Sequence, residues 1–325
     1  MTSTAPALAS PHEKAVVRFD RLLLLYAVVP LCVVVAMLDV FVLRRAIADR
    51  LPDHPDKLVY FTLLFNFPHI VASHLLFLDG AYVRAYWKVA LLGLAGLAAI
   101  TTVCVLIGSV AVFLFAMVVT HFHIIGQQVG LTGAQLRTTD WSFTAWRWLS
   151  QLTAGLILLS VLEQVGPFRT PLAIASVVLL IPSTLVAARL SGRAATPSAK
   201  RYLWANQAMF YAMAICQWLS YPILTVLMPR IVHDVSAFYV YGVHDTNHNR
   251  GTHRPNLLYR VTGSVGLPPA LVGPLVAIGL AYAVDRLLAE TLRLHVVYWV
   301  SGLHYYLEAI VWKTGTPHRR SVSFR

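Results

Sequence analysis

Apolar residues run along this chain in long stretches separated by short polar turns. A transmembrane helix needs about 20 predominantly apolar residues. The sequence supplies roughly ten such segments, at about 21–43, 58–78, 89–107, 110–127, 144–163, 171–189, 203–228, 232–248, 267–287 and 292–312. The run from Val89 to Ile125 is too long for one span at about 1.5 Å per residue, so it is divided at Gly108-Ser109. The 232–248 segment is short and rich in polar groups, which places it inside the bundle and away from lipid. The pattern predicts an all-α polytopic membrane helical bundle of about 8–10 transmembrane helices, with no soluble domain. Residues 1–20 are expected to form an N-terminal tail, 21–312 the bundle and 313–325 a C-terminal tail.

Composition agrees with that reading. Of 325 residues, 12% are charged and 58% hydrophobic, whereas a soluble domain carries about 25% charged residues. The net charge of +12 is not a nucleic-acid signature, because Lys and Arg sit between apolar runs and form neither a face nor a tail. Basic residues in such places set topology and meet anionic lipid. With the N-terminus inside and ten spans, the inside segments hold 18 of the 26 Lys and Arg and the outside segments 8. That asymmetry predicts both termini in the cytoplasm of a multi-pass protein of the bacterial inner membrane. The first ten residues lack a charged n-region, so the first apolar run reads as an uncleaved span. Cys32, Cys104 and Cys216 lie in apolar runs without C-x-x-C pairing and read as small core residues.

The histidines change the picture from architecture to chemistry. There are 13, and ionisable groups within spans are costly and mark function by default. His69 and His74 fall in the inner half of the second expected span, and His121 and His123 near the inner end of the fourth. His244 and His248 fall at the inner end of the eighth, and His304 in the inner half of the tenth. His244 and His248 are spaced i, i+4, as are His304 and Glu308, so each pair shares a helix face. His233 lies eleven residues before His244, about 16 Å away along a helix, so the two cannot share a centre. His69 and His74 are roughly 140° apart on an ideal helix, and a kink or π-bulge near Asn66 and Pro68 would be needed to bring them together. His121 and His123 point to opposite sides, so one can serve a metal while the other caps the span.

The expected ligand set is His69, His74, His121, His244, His248, His304 and Glu308, holding one or two iron ions; zinc and haem are the alternatives. His123, His233, Asp234, Asp245, Asn247, His253, Asn66, Gln127 and Gln128 are candidates for the surrounding shell or for purely structural roles. His123 and His253 also read as interfacial groups, His233 and His295 as structural, and His12, His54 and His318 as surface residues. Tyr239, Tyr241, Tyr305 and Tyr306 line either a substrate cavity or the interfacial belt.

H-x4-H (His69, His74) and H-x3-H-x4-H (His244, His248, His253) resemble the histidine boxes of membrane-bound non-heme di-iron enzymes: fatty-acid desaturases, alkane hydroxylases and carotenoid hydroxylases. The scatter of histidines over several spans, with H-F-H at 121–123 and a lone His304, also resembles the bacterial carotene-cleaving dioxygenases of the rhodopsin-associated type. Both resemblances imply an iron-dependent membrane oxygenase acting on a lipophilic substrate. No Gly-rich phosphate loop or dinucleotide motif is present, so such an enzyme would draw electrons from a partner protein. A buried polar network holding helices together, a proton or ion pathway, a transporter and a b-type haem protein use the same residues differently. A zinc hydrolase is less favoured because no H-E-x-x-H occurs. The topology has its own test. Reporter fusions at residues 14 and 325 should both read cytoplasmic, and opposite sides for the two ends would break the even span count.

Overall fold

The computed structural model describes residues 14–52, 65–138, 140–249, 256–262 and 266–325. It is an all-α bundle. In chain order the helices are α1 (Phe19–Leu25), α2 (Val28–Phe41), α3 (Phe67–Leu75), α4 (Gly80–Ile107), α5 (Ser109–Leu136), α6 (Trp141–Val161), α7 (Arg169–Arg193), α8 (Pro197–Trp218), α9 (Pro222–Asn249), α10 (Leu257–Thr262), α11 (Pro269–Leu287), α12 (Glu290–Val311) and α13 (Pro317–Arg320). Six helical stretches, Phe19–Phe41, Gly80–Ile107, Val110–Leu136, Glu163–Arg193, Pro222–Asn249 and Ala270–Leu287, are long and apolar enough to cross a membrane. Helices α6, α8 and α12 reach 21–22 residues but are not among those six. The outer faces carry fully displayed apolar side chains, such as Leu106, Ile107, Leu185 and Leu287. A surface of that kind fits hydrocarbon and not water, and the chain is a multi-pass membrane protein.

Helix boundaries follow local chemistry. The long apolar run does divide at Gly108, whose φ of 137° is open only to glycine. Asp79, Asp140 and Thr196 cap α4, α6 and α8 by accepting from the backbone N–H of Ala81, Phe143 and Ala199. The break expected between 228 and 232 lies elsewhere. Helix α8 ends at Trp218, Ser220 takes a left-handed φ of 62°, and Pro222 opens α9. Pro229 sits inside the continuous α9. Part of the second expected span, residues 58–64, lies outside the described residues.

Helix α9 is the centre of the bundle. Of its apolar window 67% is buried, against 11–28% in the other five candidate spans. It touches α1, α2, α3, α5, α6, α8 and α11, while α12 packs on α3, α4 and α5. This agrees with the interior position expected of 232–248. The α4–α12 contact is close because glycines face bulky side chains reciprocally. A Cβ at Gly93 would collide with the Tyr306 ring, and one at Gly302 would come within 2.6 Å of Leu97. The N-terminal half is tied by buried hydrogen bonds: Tyr26 and Tyr202 both donate to Gln128 Oε1, and Trp146 donates to Gln207.

The two chain ends meet. Strand β1 (Val16–Val17) pairs in parallel with β2 (Ser323–Phe324). Asn247, near the end of α9, locks the pair by accepting from Ala15 N and donating to the carbonyls of Ala15 and Ser321. Both ends therefore lie on one side of the bundle, beside the C-terminus of α9. Because α12 is seated through Gly302, Gly302→Leu should push it off α4. Overpacking of this kind costs about 1–3 kcal/mol and should lower the thermal midpoint by several degrees; an unchanged midpoint would contradict the close contact.

Candidate metal centre

Four helices each bring one imidazole to the same point: His69 from α3, His123 from α5, His233 from α9 and His304 from α12. One ring nitrogen from each lies within 4.8 Å of the other three. The rings meet edge to face, with centroids 5.0 Å apart for His69–His233, 5.2 Å for His69–His304 and 4.8 Å for both His123–His233 and His123–His304. His233 Nε2 and His69 Nε2 are 3.3 Å apart. Two nitrogens bound to one ion at roughly 2.1 Å lie about 3.0–3.4 Å from each other, so this spacing is already that of a coordination shell.

Partners outside the group fix which nitrogen faces inward. Ser73 gives its hydroxyl proton to Ile70 O at 2.7 Å. His304 Nδ1–H therefore donates to Ser73 Oγ, 2.6 Å away, and Nε2 keeps its lone pair. His69 Nδ1 faces two acceptors, Phe65 O at 3.2 Å and Asp234 Oδ1 at 3.1 Å, which leaves its Nε2 bare in the same way. A carboxylate behind a ligating imidazole sets its tautomer and raises its basicity. The Nε2 atoms of His123 and His304 are buried with no hydrogen-bond partner among the described residues. Buried polar atoms of this kind are costly unless something satisfies them.

Glu308 borders the group. Its Oε2 lies 3.5 Å from His123 Nε2 and 3.9 Å from His304 Nε2. Gln127 Nε2 donates to that oxygen at 2.9 Å, and Trp312 Nε1 donates to Oε1 at 3.0 Å, joined there by the Tyr241 hydroxyl. Three donors thus hold one carboxylate beside the imidazoles. Tyr305 packs on His123 with ring centroids 4.6 Å apart.

The remaining expected residues lie elsewhere. His74 packs on His304 with ring centroids 6.3 Å apart, but its Nε2 is hydrogen-bonded to Val300 O at 3.0 Å and it is not one of the four converging histidines. His121 is buried on α5 but outside the group, and Asn66 accepts from Arg230. Gln128 belongs to the N-terminal hydrogen-bond network and Asn247 to the clasp on the chain ends. His253 lies outside the described residues, as do His12 and His54. His295 is exposed on α12 and bonded to its own helix through Thr291 O.

His244 and His248 form a second cluster, toward the chain ends. Tyr82 OH bridges His244 Nε2 and His248 Nδ1 at 3.1 Å each. His244 Nδ1 meets Asp245, and His248 Nε2 meets Asp79. All four ring nitrogens thus have protein partners, and Asp245 contacts the imidazole of His244, which is not one of the four converging histidines, while also accepting from Tyr259. His233 and His244 do lie in separate clusters, as their eleven-residue spacing requires.

His318, expected on the surface, is instead fully buried. Its ring stacks on Tyr82 at 3.8 Å between centroids and on His244 at 5.1 Å. No spacing rule ties a residue beyond the last span to α4 and α9. The convergence of His123 with His233 was equally hidden, because the H-F-H parity does not say which ring faces inward. No protein-family model matches the chain, and comparison with curated proteins and with solved structures gives no match.

The docking of His318 carries a pH signature. Burial, with His244 and His248 adding to it, pushes its imidazole down to about 3. On unfolding, the ring takes up a proton at any pH below about 6.5. Its contribution to stability is complete above that pH and is lost progressively as pH falls from about 6.5 toward 3. The thermal midpoint should therefore drop between about pH 7.5 and about pH 5, and His318→Phe, which keeps a flat ring, should flatten the drop. Equal drops in both proteins would contradict the assignment.

Proposed function

We propose that the protein is a membrane-embedded, metal-dependent oxidoreductase of the non-heme iron oxygenase type, acting on a lipophilic substrate. The observation that carries this reading is the convergence of His69, His123, His233 and His304, with Nε2 of His123 and of His304 buried and without a hydrogen-bond partner among the described residues. Imidazole suits iron, zinc, copper and nickel. Four imidazoles would close a tetrahedral zinc site and leave no open position. Six-coordinate iron held by the same four would keep two positions open, which oxygen chemistry requires. Edge-to-face packing of the four rings gives no slot for a porphyrin, which weighs against the haem alternative.

When bound, the iron would supply oxygen activation; the chain's own groups supply the rest. Asp234 and Ser73 orient the imidazoles of His69 and His304. Glu308, held by Gln127, Tyr241 and Trp312, places a proton-accepting group beside His123 and His304. The group lies near the middle of α5, α9 and α12, deeper than His244 and His248. A substrate reaching it through the surrounding spans would be apolar, such as a lipid or carotenoid. Should the reaction need external electrons, the donor would be a partner protein at the face bearing the chain ends, the face that the basic-residue asymmetry favours as cytoplasmic.

Metal analysis and an optical spectrum of the purified protein test the reading. Iron near one ion per chain, without a Soret band, is expected. His233→Ala and His304→Ala should lose the iron, and His244→Ala should keep it. Absence of bound metal, or retention by His304→Ala, would sink the proposal, and a Soret band would move it to haem.

A further inference from the structure

Helix α9 has two working faces. His233, Tyr241 and His244 look toward the imidazole clusters. The opposite face, through Val235, Tyr239, Gly242 and Thr246, lines a cavity of about 940 Å³. That is near the upper end of small-molecule sites, roughly 300–1,000 Å³. Pro274 and Ala270 of α11 form its far wall, where Gly242 lets α11 approach closely.

The cavity is amphipathic along its length. Its deeper wall is apolar, with Val235, Phe238, Val243 and Pro274. Its mouth, beside the paired chain ends, carries Arg18, Arg21 and Arg325. The acidic side chain there, Asp20, is taken by Arg18 in an ion pair of 2.7 Å, and the main-chain oxygen of Arg325 accepts from Phe19 N at 2.9 Å. Arg21 and Arg325 form no ion pair among the described residues. Two guanidiniums without an ion pair among the described residues, above an apolar slot at the end of a bundle whose medium is a bilayer, complement one kind of molecule: a phospholipid with an anionic headgroup. Guanidinium binds phosphate oxygens in a bidentate fork, and basic groups beside a membrane surface favour anionic lipid.

We propose that this cleft between α9 and α11 holds an anionic phospholipid, its phosphate on Arg21 and Arg325 and an acyl chain against Val235, Phe238 and Val243. The site is separate from the four-histidine group and does not depend on the metal reading.

Native mass spectrometry of the detergent-purified full chain, offered dioleoyl phosphatidylglycerol or dioleoyl phosphatidylcholine, tests it. The glycerol lipid should be retained more tightly by on the order of ten-fold, as expected of two basic groups at an anionic headgroup. Arg21→Gln combined with Arg325→Gln should abolish the preference. Ala270→Trp, at an exposed position in the cavity wall, should displace both lipids. Circular dichroism confirms that each variant is folded, and metal content should not change in any of them. Equal retention of the two lipids, a preference untouched by the double substitution, or tighter binding of oleate than of phosphatidylglycerol would each overturn the assignment.

Discussion

A helix bearing His233, Asp234, His244, Asp245 and His248 within a lipid-embedded protein must find protein on every side where those groups point. That requirement places α9 at the centre of the bundle. The other helices then act as its solvent. α3 supplies His69, α5 supplies His123, and α4 supplies Tyr82 and the Asp79 at its cap. α12 takes its place through the glycine contacts with α4, which bring His304 and Glu308 to the same level as His233. Polar satisfaction of one helix thus organises both the fold and the candidate site.

The two histidine clusters differ in how far that satisfaction has been carried. Around His244 and His248 each ring nitrogen already has a tyrosine or carboxylate partner. Around His69, His123, His233 and His304 the outward nitrogens of two rings are held, while Nε2 of His123 and of His304, with Glu308 3.5 and 3.9 Å away, make no hydrogen bond among the described residues. A closed network has done its work by joining helices. An incomplete one, buried where water is scarce, is the arrangement that a metal ion completes.

Much of this was written in the sequence, at the level of single helices. Apolar run lengths gave the bundle, the glycine at 108 the division of the longest run, and the polar density of 232–248 its central place. Eleven residues between His233 and His244 already separated two centres. What stayed hidden depends on how helices rotate against one another. The α8–α9 corner is set by a left-handed Ser220, which the run of apolar residues does not mark. Which of His121 and His123 faces α9 is decided by packing of α5 on its neighbours. The burial of His318 follows from the pairing of the chain ends, a contact between residues some three hundred positions apart.

The central claim is that four imidazoles from four helices hold a single ion. X-ray absorption at the edge of the bound metal reads that shell directly. Scattering from about four imidazole rings with nitrogen at roughly 2.0–2.2 Å is expected, reduced by one ring in His123→Ala and unaltered in His248→Ala. A shell with two imidazoles or fewer, or one that changes with His248 and not with His123, would contradict it.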